Sequence, residues 1–207
     1  MKFYCLHHTP AIERKEYLLK AFEAQEISPE WIESYSPDSP EVNNKGIIFT
    51  RHAANGNFLN KAEISCFLKH KEAISRIASS GEHGIIFEDD IENPDFSIKE
   101  VCYGLKEYCT DDVLIFIGSF TGADLPSVKG KLKFQIIMSK SFQSRCAHAY
   151  MLNSNTAKKI LSELESIILP LDWQLNNIIN KLGLNVGWTT PHINQRTEKG
   201  QIESLLR

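Results

Sequence analysis

The chain has 207 residues, 42% of them hydrophobic and 24% charged, with a formal net charge of −3. That length suits one substantial domain, able to bury roughly 70% of its unfolded surface without staples, and the composition is ordinary for a globular protein. The slight acidity and the lack of a Lys/Arg cluster speak against a nucleic-acid binder, and no apolar run approaches the ~20 residues of a membrane-spanning helix.

Residues 2–7 read as an opening strand. Thr9 then offers an N-cap and Pro10 a pre-set first helical position, and the helix that follows places Leu18, Leu19 and Phe22 on one face. The first ten residues, cut by His7 and His8, lack the basic start and longer apolar run of a signal peptide. A soluble, cytoplasmic protein is expected, one that could still work at the inner face of a membrane. The five cysteines, odd in number and without C-x-x-C spacing, read as reduced core thiols rather than a zinc site.

A short strand is expected over 31–35. The segment 36–58, with Pro37, Pro40, Asn43, Asn44, Gly46, Asn55 and Gly56, reads as a long connection without regular helix. Asn60 and Glu63 have capping-box spacing, and Ile64, Phe67, Ile74 and Ile77 recur at helical period, so a helix follows and ends near Gly81. Residues 84–87 are wholly apolar, as in a strand buried on both faces. Ser97 and Glu100 repeat the capping-box spacing and open a helix to about Cys109.

Further strands are expected over 113–117, 131–138 and 146–152, with a loop over 118–130 between the first two. Lys129, Lys131 and Lys133 read as a solvated strand face. A helix over 154–166 and another from Pro170 through Leu182 follow, then a strand over 185–188 and an irregular tail. Strands alternating with helices point to one α/β domain spanning 1–207, with a mostly parallel sheet flanked by helices.

The most informative residues are Glu88, Asp89 and Asp90, directly after the apolar strand. Ligands of open α/β sheets collect at the carboxyl ends of strands. Three consecutive carboxylates repel one another there, and a divalent magnesium or manganese ion removes the conflict, its shell completed by substrate phosphates. The alternative is an acidic turn, continued by Glu92, that caps the next helix.

The block from Asn60 to His70, then a helix, then Ile85-Ile86-Phe87-Glu88-Asp89-Asp90, resembles glycosyltransferase family 25, whose pattern reads Gly-Glu-x-Gly-Cys-x-x-Ser-His followed by an apolar run and Glu-Asp-Asp. His148-Ala149-Tyr150, Pro170-Leu171-Asp172, Pro191 through Gln195 and the early Arg14 are similar to further blocks of the family. Ala62, Ser65 and Lys69 depart from the pattern, standing where it has glycine, glycine and serine.

The resemblance implies a GT-A-like (Rossmann-like) fold, a UDP-sugar donor with galactose the expected sugar, a Mn2+ or Mg2+ cofactor, and an oligosaccharide or glycolipid acceptor in lipopolysaccharide or other surface glycan synthesis. It implies Asp90 as metal ligand, with Glu88 and Asp89 orienting the donor. Glu63 is either a capping partner or a donor contact. His70, on the stripe with Phe67 and Ile74, is either a core histidine or a donor contact that supports Asp90. Asp172 is either a helix cap or the general base of an inverting transfer. Arg14 either approaches the nucleotide or pairs with an acid, His192 is a further metal ligand or an exposed tail residue, and His148 is structural. Two readings from other classes stay open: a catalytically silent sugar-nucleotide binder of the same fold, and a metal-dependent phosphohydrolase.

Overall fold

The computed structural model describes residues 1–43, 59–118, 135–139 and 147–196. The expectations for 44–58, for 119–134 with its three lysines, for Cys146 and for the segment after 196 fall outside the described residues. Along the chain run β1 (Lys2–Leu6), α1 (Ile12–Ala24), β2 (Glu30–Ile32), α2 (Lys61–Ser80), β3 (His83–Glu88), α3 (Ile98–Leu105), β4 (Val113–Gly118), β5 (Gln135–Ser139), β6 (Ala149–Asn153), α4 (Ser154–Glu163), α5 (Leu171–Leu182) and β7 (Asn185–Ile193).

The strands form one seven-stranded sheet in the order β2-β1-β3-β6-β4-β7-β5. β1 pairs in parallel with β2 and β3, and β4 with β7, whereas β6 runs against both β3 and β4, and β5 against β7. Five strands therefore point one way, as the α/β reading expects, and β5 and β6 make the sheet mixed.

Side chains alternate across a strand, so the pleat divides the core in two. Tyr4, Ile86, Leu114, Phe116, Tyr150, Leu152 and Trp188 face α2, α4 and α5. Cys5, Ile85, Phe87, Ile115, Ile117 and Met151 face α1 and α3. β3, with apolar residues on both faces, is the buried strand that its sequence suggested. At Gly84 an added Cβ would lie 2.2 Å from Ile77 Cγ1, so the missing side chain is what lets α2 close on the sheet.

Local signals set several ends. Glu63 N–H donates to Asn60 Oδ1 and Asn60 N–H to Glu63 Oε2, a complete capping box at the start of α2. Gly81, at φ +70°, ends that helix in the left-handed conformation. Ser97 accepts from Glu100 N–H and starts α3, which stops at Leu105 with a turn leading on to Cys109.

Other local signals are overridden. Thr9 does not cap α1; the helix starts two residues beyond Pro10 with Ala11 at the cap position and no side-chain cap bond. Leu18 and Phe22 are buried, whereas Leu19 is 49% exposed, because a stripe facing one sheet is narrower than three neighbouring apolar residues. The expected irregular tail after Trp188 is instead more strand: β7 continues to Ile193, and Gln195 bridges to Ile91.

Candidate active site

The carboxyl ends of β1 and β3 lie side by side, with Leu6 opposite Glu88 in their parallel register. Residues just beyond both strands, and the cavity-facing side of α2, therefore meet around one cavity of about 630 Å³. Its wall includes His7, His8, Arg14, Lys69 and Gln195 together with all three carboxylates of the acidic triplet.

The strand pleat sends these carboxylates into different surroundings. Glu88 follows Ile86 to the α2 side. There its Oε1 lies 3.0 Å from His70 Nε2 and 3.9 Å from Cys66 Sγ. His70 Nδ1 lies 2.9 Å from the Tyr150 hydroxyl, and the two rings stack. Burial lowers the His70 pKa to about 3, so the imidazole is neutral. A neutral ring that donates from Nε2 to Glu88 and accepts at Nδ1 from Tyr150 satisfies every partner. Desolvation raises the Glu88 pKa.

Asp89 turns to the opposite side, towards α1. Its Oδ2 lies 2.9 Å from His7 Nδ1 and accepts from His8 N–H at 2.8 Å, while Arg14 donates to its Oδ1 at 3.0 Å. Burial opposes ionisation, but these donors outweigh it and hold the Asp89 pKa below its ordinary value.

Asp90 is left with little. Gln195 Nε2 donates to its Oδ2 at 3.3 Å, and its Oδ1 is buried with no hydrogen-bond partner among the described residues. Desolvation first, then the charges of Glu88 and Asp89, push its pKa up to about 7. An unsatisfied, hard carboxylate oxygen on a residue of the cavity wall is the donor chemistry that magnesium or manganese takes up. Of the triplet, Asp90 is the residue whose free donor fits such an ion.

A softer set lies deeper. The ligand atoms of Cys66, His70 and Glu88 fall within 4.8 Å of one another. Sulfur and imidazole would suit zinc better than manganese. Their hydrogen bonds to each other and to Tyr150, however, already satisfy the group without an ion.

The remaining expected residues divide. Arg14 lines the cavity and pairs with Asp89. Glu63 spends its carboxylate on the capping box and does not line the cavity. His70 touches Glu88 rather than Asp90. Asp172 is not the cap of α5, since Pro170 holds that position; it sits in the first turn, and its Oδ1 accepts from Trp173 N–H at 2.9 Å. Desolvation raises its pKa to about 7, and the charges of Glu88 and Glu63 add to the effect. His192, half-buried on β7, is not part of the cavity wall; the C-terminal residue brought to Asp90 is Gln195. His148 Nε2 lies 2.9 Å from the Ile193 carbonyl oxygen, a structural link from β6 to β7.

His7, His8, Cys66 and Tyr150 belong to the site without having been singled out for it. His7 and His8 could have been found: in a β–α–β start the residues after both parallel strands share one edge.

A scan against protein-family models matches residues 1–175 to glycosyltransferase family 25 (LPS biosynthesis protein). A search of the curated proteins gave no match.

Proposed function

The chain belongs to glycosyltransferase family 25, and from that premise we propose that it transfers a hexose, galactose in the simplest case, from a UDP-sugar to a saccharide or glycolipid acceptor with inversion. The mixed α/β sheet with helices on both faces is consistent with a GT-A-like fold. The observation that carries the reading is the asymmetry of the acidic triplet: the carboxylates of Glu88 and Asp89 are well partnered, whereas Asp90, also in the cavity wall, has a buried Oδ1 with no partner among the described residues.

On this reading Asp90 would hold a manganese or magnesium ion, with Gln195 beside it; His192, outside the cavity wall, is not assigned as a ligand. Such an ion, when bound, neutralises charge on a diphosphate leaving group. The chain's own residues do the rest. Arg14 and His7 fix Asp89 in its ionised form at the edge of the donor space. His70, held by Tyr150, fixes the Glu88 carboxylate. Asp172 does not line this cavity, and we assign it as the base on its place in the family's Pro-x-Asp block, its pKa raised to about 7 by burial suiting proton removal near neutrality. The hydroxyl oxygen then attacks the anomeric carbon, the C–O bond to the diphosphate breaks, and the proton rests on Asp172.

Calorimetric titration with UDP, UDP-galactose and UDP-glucose, with and without manganese, tests the donor assignment. Manganese-dependent UDP binding is the expected result, and no binding under any condition removes it. Turnover distinguishes the rivals: donor binding without sugar transfer to any acceptor points to a silent binder, and phosphate release from simple phosphoesters to a hydrolase.

The titration of Asp90 adds a pH signature. A proton and a metal compete for the same carboxylate, and the proton is lost only as pH rises through about 7. Manganese should therefore raise the Tm more at pH 8 than at pH 6. An equal rise at both pH values would place the ion elsewhere.

A further inference from the structure

Lys69 is 5% exposed yet lies in the cavity wall. Among the described residues it has no hydrogen bond, and no carboxylate lies within ion-pairing distance of its ammonium. The other cationic side chains of the wall are engaged: Arg14 with Asp89 at 3.0 Å and Lys61 with Asp38 at 3.5 Å. Burial lowers the Lys69 pKa, opposed by the more distant charges of Asp89 and Glu33. A charge withdrawn from water without a partner is costly, and an anion entering the cavity removes that cost.

The helix explains how the lysine comes to point there. Ala62, Ser65, Cys66 and Lys69 follow the three- and four-residue spacing that puts side chains on one face of α2, and all four line the cavity. The three positions at which this block departs from the family's pattern, Ala62, Ser65 and Lys69, are thus all on the ligand side of the helix. The Ser65 hydroxyl is committed to the Tyr35 carbonyl oxygen. Lys69 is left as the donor that this face offers to a ligand.

The chemistry of the space narrows the ligand. The cavity wall includes Lys69 on α2 and Asp90 beyond β3, whose Oδ1 has no partner among the described residues. A neutral sugar hydroxyl can hydrogen-bond to either group but neutralises neither charge. A diphosphate meets both: one oxygen on the ammonium, others on a cation at Asp90.

We infer that Lys69 binds the diphosphate of the nucleotide-sugar donor, sharing its charge with the cation held at Asp90. This rests on the donor reading above. Calorimetry on the full chain, with manganese or with chelator, tests it using UDP and uridine as probes against wild type, Lys69→Met and Lys69→Arg. Lys69→Met is expected to weaken UDP by about 10- to 100-fold, the usual effect of one charge-assisted hydrogen bond. The loss should be larger under chelator. Uridine, which has no phosphate, should bind Lys69→Met as it binds wild type, and Lys69→Arg should retain most of the UDP affinity.

UDP affinity in Lys69→Met within twofold of wild type would overturn the inference and leave the donor reading standing. An equal loss of uridine and UDP affinity would also overturn it, because the change would then reach beyond the phosphates. Failure of wild type to bind UDP at all would take down both.

Discussion

Asp90→Ala is expected to abolish manganese-dependent UDP binding and to lower kcat/KM by about 10³-fold, the scale on which a metal stabilises a departing diphosphate. The same variant should keep or gain thermal stability. Asp90 Oδ1 has no partner to lose, its carboxyl is held against desolvation and two like charges, and only the 3.3 Å bond from Gln195 is forfeited. Removing a buried, poorly satisfied polar group is close to neutral or favourable. The pair of readouts separates two roles. A residue kept for structure would lower the Tm when removed and leave binding intact. Full activity in Asp90→Ala sinks the metal assignment, and Asp90→Asn, which keeps the shape and removes the charge, should fail in the same way as alanine.

The second large effect is on chemistry rather than binding. Asp172→Asn should lower kcat by about 10²- to 10⁴-fold, the range for loss of a general base, with UDP affinity unchanged. The pH profile carries the sign. Asp172 accepts a proton only when ionised, and its pKa is raised to about 7, so wild-type kcat should climb with pH through about 7 and then level. Measuring kcat at saturating manganese and donor keeps Asp90 ionised, which leaves Asp172 to shape the acid limb. An unchanged kcat in Asp172→Asn would rule it out as the base.

Where one short stretch of sequence decides an element, that element was legible. The capping box of Asn60 and Glu63, the apolar run into Glu88 and the start of α5 after Pro170 all stand where local chemistry puts them. Thr9 has the right chemistry for a cap, but the chain leaving β1 turns so that Ala11 takes the position. β7 was cut short at Trp188 because its second half, through Pro191 and His192, has no alternating pattern. Pairing from both sides, with Thr189 and Thr190 opposite Ile136 and Gln135 of β5 and Ile193 opposite Gly118 of β4, is what makes it strand.

The site divides in the same way. The triplet announces itself as consecutive letters, but not which oxygen is spare. That depends on His70, Arg14, His7 and Gln195, drawn from positions 18 to 105 residues away. Glu63 shows the opposite error: a residue in a matching block whose carboxylate the backbone has already taken.

The placement of β7 also bears on the order in which the molecule can be made. The strand lies inside the sheet, between β4 and β5, although its residues follow theirs by some distance along the chain. As the polypeptide leaves the ribosome, residues 113–118 and 135–139 must wait for 185–193 with their backbone edges uncovered, and such edges recruit other chains. Gln195, which reaches Asp90, emerges later still. The first 175 residues, which carry the family's match, lack β7 and are therefore not expected to fold as a unit. A ribosome-bound chain halted at that point should stay protease-sensitive and prone to self-association, and the cavity should form only once the last strand has been threaded into its slot.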